Sequence, residues 1–320
     1  MDGFSVALSE ITLVLFTTLA PSGAVAYLLM SLPVLSGRAA GDTARRLNQL
    51  TCLPLLVAMV GLVASATHLG NPANALYVFT GVGRSPLSTE VFAAVIFLAL
   101  AGVYWLYSFA EHPRVGLQRG LLAAIDVAIV AFVSSVAFAY NVDTIVTWSL
   151  PLVPASLILN ALFGGPLLAL AGFALASRGL GAASTAELPI AYAAPEGASK
   201  AQPTAARVFP SRRGARILLT LATAACAANV AVYAVLGFQL QGIENELVSV
   251  ADLVAGYPVY LAAFAVLAAS ALAFAWCAAI KRELRQSPAP LVVASVLAFV
   301  AIFLMRFTFY MSHLTVGLGV

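Results

Sequence analysis

Charged residues are scarce in this sequence. Only 9% of the 320 residues are Asp, Glu, Lys or Arg, whereas 62% are hydrophobic and the mean hydropathy is +0.99. Soluble globular domains carry about 25% charged residues. The composition therefore excludes water as the main solvent of this chain.

Cysteine is also rare, and the net charge is small. Cys52, Cys226 and Cys277 stand singly in apolar stretches without C-x-x-C spacing, so we expect no metal or iron–sulfur cluster in this chain. The net charge of +3 is spread over separate short loops, which argues against a nucleic-acid partner. The N-terminus has no basic segment followed by a small-residue cleavage site, which predicts that its first apolar stretch is a retained helix.

Long apolar stretches dominate what is present. A helix needs about 20 apolar residues to cross the hydrocarbon layer. Eight stretches meet this length, at approximately 10–35, 47–69, 89–110, 117–140, 150–177, 214–240, 253–280 and 288–314. The sequence therefore predicts an all-α integral membrane protein, a bundle of about eight transmembrane helices in a lipid bilayer.

The basic residues predict how these helices are oriented. All of them except Arg84 and Arg306 fall in the first, third, fifth and seventh connections. Loops rich in Lys and Arg stay in the cytoplasm, so both termini are predicted to be periplasmic. The connection at 178–213 is rich in Ala and Pro and is predicted to be a flexible cytoplasmic linker. It would join a five-helix part (1–177) to a three-helix part (214–320) of one membrane domain.

Two ionisable residues flank the loop between the second and third spans, on the predicted periplasmic face. His68 precedes Gly70 and Pro72 at the end of one helix, and Glu90 follows Ser88 at the start of the next. Each fits an ordinary helix cap. Taken together, they also fit quinol oxidation, because an imidazole and a carboxylate can accept the two hydroxyl protons of a hydroquinone.

The last span contains a second polar group of residues. Arg306, Tyr310 and His313 are spaced i, i+4 and i+7 and therefore share one helical face. One interpretation is an interfacial belt in which the arginine extends to water. The other is a wall of the same quinol pocket. Asp126 and Glu10 also lie in or next to apolar spans, where each fits either a proton path or packing, so neither is assigned to the site.

Five blocks in order along nearly the whole chain resemble the DmsC-type membrane anchor subunits of dimethyl sulfoxide reductases. They are His68-Leu69-Gly70 with Pro72, Ser88-Thr89-Glu90, Tyr140-Asn141 through Thr147-Trp148, Gly164-Gly165-Pro166-Leu167-Leu168, and Arg306 through Tyr310 followed by His313. The 178–213 connection departs from the family by being longer and richer in Ala and Pro.

The resemblance implies an inner-membrane anchor of a respiratory complex. Such an anchor takes electrons from menaquinol and passes them to an iron–sulfur subunit, which feeds a periplasmic molybdopterin catalytic subunit. The family's quinol-site histidine and acid correspond to His68 and Glu90. The chain itself is expected to carry no haem and to reduce no terminal acceptor alone.

Two other functions remain open on the sequence. A haem-b quinol oxidase anchor would need paired histidine ligands, and the chain has only His68, His112 and His313. A proton-coupled secondary transporter could use Asp126 or Glu10. Haem absorbance and co-purifying subunits distinguish these alternatives from the anchor.

Overall fold

The computed structural model describes residues 2–67, 72–186, 211–244, 248–280 and 287–314. Within these ranges the chain is helical apart from turns and one isolated bridge between Glu244 and Ser249. The helices are α1 (Gly3–Ser9), α2 (Ile11–Leu35), α3 (Gly41–Leu50), α4 (Cys52–Thr67), α5 (Pro86–Tyr107), α6 (Val115–Ala139), α7 (Leu152–Ala186), α8 (Arg212–Leu240), α9 (Val250–Leu253), α10 (Tyr257–Ile280) and α11 (Ala289–Met311), with a 3-10 helix at Pro72–Gly81.

The described residues form eight helical segments that are long and apolar enough to cross a membrane, which confirms the predicted fold class. Helices α3 and α4 together make the second segment, Gly41–Thr67. This segment begins earlier than the predicted span because α3 is polar and adds exposed charged residues at its start, among them Asp42, Arg45 and Arg46.

Helices α2 and α7 are the most deeply buried spans and form the centre of the bundle. They pack on each other, and α2 also packs on α4, α6 and α11. Glycines bring these helices close together, since a Cβ at Gly23 would lie 2.7 Å from the Ala58 nitrogen and one at Gly165 would lie 2.6 Å from Val25 Cγ1. Small residues at crossings are the usual device for helix packing in lipid, where no hydrophobic force drives helices together.

The ends of the predicted 178–213 linker are helical. Helix α7 continues to Ala186 and α8 begins at Arg212, while residues 187–210 lie outside the described residues. The predicted five-helix and three-helix parts pack directly on each other, through α7 on α8 and through α2 on α11.

The two ends of the bundle differ in chemistry. One end carries Arg38, Arg45, Arg114, Arg119 and Arg213, and we refer to it as the arginine-rich face. The other end holds α1, the 3-10 helix, the 140–151 connection and the last turn of α11, and we refer to it as the site face. Helix α1 was not predicted. It packs on α11 at the site face, where the Phe4 and Phe307 rings lie 5.3 Å apart.

Candidate functional site

Helix α5 begins at the site face with a complete N-cap. The Ser85 hydroxyl accepts from the Ser88 N–H at 3.3 Å, and Pro86 occupies the first turn. Glu90 lies about one turn further along, is only 2% exposed, and its Oε2 has no hydrogen-bond partner among the described residues. Because Ser85 caps the helix and a buried unpartnered carboxyl is costly, capping does not explain Glu90.

Arg306 lies inside the bundle near the end of α11 and is 0% exposed. Its Nε donates to Thr17 Oγ1 of α2 at 3.0 Å, and the guanidinium lies over the Phe309 ring, 4.0 Å from the centroid. Nη1 and Nη2 have no hydrogen-bond partner within the described part of the chain. The side chain does not reach the surface, so the interfacial-belt interpretation does not fit it. Both terminal nitrogens therefore keep hydrogen-bond donors of the kind that bind anionic groups.

An aromatic cluster surrounds this arginine. Trp148 stacks on Phe309 with ring centroids 5.0 Å apart, and it meets Tyr310 edge-on at 5.6 Å and His313 at 5.3 Å. Its ring also lies 5.5 Å from that of Tyr140. Aromatic walls of this kind suit a flat aromatic ligand, because rings stack offset or edge to face.

Two hydrogen bonds hold the 140–151 connection against the end of α11. The Thr147 hydroxyl donates to the Ser312 carbonyl at 2.8 Å, and the Val146 N–H donates to the Leu314 carbonyl at 3.0 Å. Thr147 is 1% exposed. The connection and the last helix therefore form one unit, which fixes Trp148 beside the arginine.

Tyr140 joins the two buried ionisable groups. Its ring centroid lies 5.5 Å from the Arg306 guanidinium carbon, and it is also within electrostatic range of Glu90. Burial raises the pKa of Tyr140 well above its ordinary value; the neighbouring Tyr310 and Glu90 raise it further, and Arg306 opposes them. Tyr140 is therefore protonated at neutral pH, and the side chain that interacts with its hydroxyl is Tyr310.

His313 lies just beyond the end of α11, half-buried against Trp148. Burial lowers the pKa of His313 below its ordinary value, and the nearby carboxyl of Glu10 partly opposes this effect. The imidazole is therefore neutral at pH 7 and able to accept a proton.

The structure brings four of the five predicted site residues to the site face. Arg306, Tyr310 and His313 share the Trp148 cluster, and Glu90 approaches it through Tyr140. His68 lies outside the described residues, so its role remains a prediction.

Four contacting residues, Tyr140, Trp148, Phe309 and Thr17, are not among the predicted site residues. The first three belong to blocks that carry the family resemblance, and that was the available signal for them. Thr17 gives no signal in the sequence, because a threonine in an apolar span is ordinary.

The cavity next to the aromatic cluster is small. It has a volume of about 20 Å³ and is lined in part by Thr147, Tyr233, Phe309 and Ser312. That is close to the space one water molecule needs, so this cavity does not hold a quinol head group. Within the described ranges, no group of three His, Cys, Asp or Glu side chains is placed to bind a metal ion.

Comparisons with known proteins agree along nearly the whole length. A family model described as "DMSO reductase anchor subunit (DmsC)" matches residues 4–311. The sequence is 27% identical over 312 residues to the YnfH subunit of an anaerobic dimethyl sulfoxide reductase of Escherichia coli, covering 97% of each. It is also 27% identical over 314 residues to the C subunit of the anaerobic dimethyl sulfoxide reductase of the same organism, again covering 97% of each.

A solved structure shares the fold. The bd oxidase from Geobacillus thermodenitrificans aligns with a TM-score of 0.54 over 97% of this chain and 86% of that chain, at 12% sequence identity. At that identity, the likeness concerns the helical architecture alone.

Proposed function

Because this chain belongs to the family of DMSO reductase anchor subunits (DmsC), we propose that it oxidises a quinol at its site face. It is a multi-pass inner-membrane protein and the membrane anchor of a DMSO reductase complex. One observation supports the proposed site most strongly. Glu90 and Arg306 are both buried at this face with polar atoms that have no partner among the described residues, and Tyr140 is within electrostatic range of both.

The reaction requires proton acceptors beside the quinol. A hydroquinone that becomes a quinone loses two electrons and the protons of both hydroxyl groups. The Glu90 carboxylate accepts one proton in this proposal, and His68 accepts the other. His313 is a further neutral imidazole at the same face.

Arg306 contributes charge rather than proton transfer. A guanidinium stays protonated at all relevant pH values. Its two unpartnered nitrogens can donate to a quinol oxygen as that oxygen becomes negative, and an interaction that strengthens as charge develops lowers the barrier. Trp148 and Phe309 provide stacked aromatic walls against which the head group packs.

The electrons leave the chain in this proposal. They pass to an iron–sulfur subunit, which supplies a molybdopterin catalytic subunit, and menaquinol is the proposed donor. The family resemblance supports these partners. The chain's own residues provide positioning, proton acceptance and electrostatic stabilisation.

Quinol-analogue oxidation by membranes that contain the intact complex tests the site. We expect Glu90→Gln to lower turnover by roughly a hundredfold, because the amide cannot accept the proton. We expect Arg306→Met to lower it by roughly ten- to a hundredfold through loss of charge-assisted hydrogen bonds. The partner subunits should remain attached, since an apolar side chain of similar length relieves a buried unpaired charge.

Asp143→Asn is a matched control on the same face. It changes an exposed residue and should leave turnover unchanged. Normal turnover in both Glu90→Gln and Arg306→Met, with the complex assembled, would rule out a quinol site at this pair.

A further inference from the structure

A second buried polar cluster lies on the other side of the bundle's middle, toward the arginine-rich face. Asp126 of α6 accepts hydrogen bonds from the Ser31 hydroxyl of α2 at 2.8 Å to Oδ1 and 2.9 Å to Oδ2. No basic side chain forms a salt bridge with Asp126 in the described ranges. The quinol mechanism gives this acid no role.

Three buried polar groups on the neighbouring helices make no hydrogen bond of good geometry with the described residues. They are Asn48 Nδ2 and the hydroxyls of Tyr27 and Tyr104, in residues that are 1%, 0% and 0% exposed. The two hydroxyls face Thr51 and Gln118 respectively and are within electrostatic range of Asp126. Leaving such a group unsatisfied costs about 1–3 kcal/mol. Ordered water is the ordinary partner of buried polar groups that the protein leaves unpaired.

A cavity of about 290 Å³ lies at the arginine-rich face. Its wall includes Val34, Ala44 and Ser108, each about one helical turn from Ser31, Asn48 and Tyr104 respectively. Buried Gln118 also lines the cavity and faces Tyr104. The volume is enough for several water molecules.

The polar path does not continue to the site face. On α5 the face that carries Tyr104 also carries Phe97, whose ring is stacked 5.9 Å from that of Phe132 on α6. The Tyr27 ring meets Phe97 edge-on at 6.0 Å. Ala101 of α5, between Tyr104 and Phe97, is fully buried. This apolar layer separates Asp126 from the Glu90 end of α5.

Two titratable groups are within electrostatic range of Asp126, Tyr27 on α2 and Tyr104 on α5. Helix α7, which also packs on α6, has no titratable side chain from residue 161 to residue 177. The charged groups of the cavity wall are Asp42 and Arg45 on α3, Glu111 in the loop after α5, and Arg119 on α6.

We propose that this cavity is the mouth of a hydrated inlet that ends at Asp126, where the carboxyl binds and releases a proton exchanged with the arginine-rich face. The ligands are water and the proton. The inlet is independent of the quinol site, because the Phe97–Phe132 layer lies between them.

Thiol accessibility in the assembled complex tests the inlet. In a background with the three native cysteines replaced, Gln118→Cys and Ser31→Cys are treated with a membrane-impermeant cationic methanethiosulfonate in sealed vesicles of both orientations. Glu111→Cys marks the arginine-rich face, and Ala101→Cys marks the apolar layer. We expect the Cys at 118 and at 31 to react from the same side as Glu111→Cys, and Ala101→Cys to react from neither side.

Failure of Ser31→Cys to react in an assembled complex, or its reaction from the opposite side, would overturn the inlet. If that complex does not assemble, Asn48→Cys is judged by the same criterion.

Proton exchange at Asp126 is measured separately, since carbodiimides modify protonated buried carboxyls. Adducts mapped to Asp126 should decline when pH is raised on the arginine-rich side alone, and labelling indifferent to that pH contradicts proton exchange. Neither measurement involves quinol, so a negative result would contradict the inlet without bearing on the quinol site.

Discussion

At the scale of residues, the molecule buries ionisable groups that it does not pair. Among the described residues, the Arg306 side chain donates to Thr17 while Nη1 and Nη2 have no partner, and Glu90 Oε2 has none. Each carries a desolvation cost that a purely structural residue would avoid, because an apolar side chain of similar size fills the space without it. The cost is explained if both groups meet a ligand.

His313 gives a prediction about pH at this scale. Its folded pKa lies below the ordinary value of 6.5 because the ring is buried, whereas the unfolded chain binds the proton near pH 6.5. Its stabilising contribution is therefore complete above about pH 6.5 and is lost as the pH falls through the lowered value. We expect His313→Gln to lose less thermal stability than wild type between about pH 7.5 and pH 5.5.

Melting temperatures of the purified complex at both pH values measure this effect. His112→Gln changes an exposed histidine on the arginine-rich face and should behave like wild type. An equal loss of melting temperature in wild type and His313→Gln would mean that burial of this imidazole does not contribute to the loss of stability at low pH.

At the scale of elements, α5 shows how one helix serves both ends of the bundle. Glu90, Ala94, Phe97, Ala101 and Tyr104 are its buried residues at three- and four-residue spacing. They place a polar group near each end and an aromatic ring between them. The same stripe thus contributes Glu90 to the site face and Tyr104 to the proposed inlet, and it keeps the two apart.

The crossing of α2 and α4 gives a prediction about packing. A Cβ at Gly23 would lie 2.7 Å from both the Ala58 nitrogen and the Pro54 carbonyl oxygen, which are backbone atoms, so the helices must separate. We expect Gly23→Ala to destabilise the chain by about 1–3 kcal/mol. Gly102→Ala on α5 meets no atom within 4 Å and should be neutral or stabilising by up to about 1 kcal/mol.

Both substitutions raise helix propensity by the same amount. The difference between their free energies of unfolding therefore reports the close approach of α2 and α4 alone. Denaturation in detergent, monitored by helical circular dichroism, measures it. Equal stability of the two variants would show that α2 and α4 tolerate a wider crossing.

At the scale of the whole molecule, the two ends of the bundle differ in chemistry. Buried Glu90, Arg306 and the Trp148 cluster lie at one end, and the arginine-rich loops lie at the other. If quinol is oxidised at the site face, electrons reach the partner over the shortest path when the partner docks there.

Photo-cross-linking tests the docking surface. A benzophenone attached at Arg84→Cys should yield adducts with a partner subunit, because Arg84 is exposed on the site face. The same probe at Glu111→Cys, exposed on the arginine-rich face, should yield none. The reverse pattern would place the partner subunits on the arginine-rich face and would contradict the proposed electron path.

The spans and the family could be predicted from the sequence, because crossing a bilayer requires a run of about 20 apolar residues and because the site-face motifs occur in order. The 187–210 connection and His68 stay predictions, since both lie outside the described residues. Helices α1 and α3 were missed because α1 is short and α3 is polar, and neither resembles a span.

The sequence by itself determined that this chain lies in a membrane as eight helices, and which polar residues stand near their ends. Only the tertiary structure decided which of those residues meet. A helix that is apolar all round carries no pattern to show which side faces protein. The contact of Arg306 with Thr17 and that of Asp126 with Ser31 join distant segments, and packing of the assembled bundle alone brings them together.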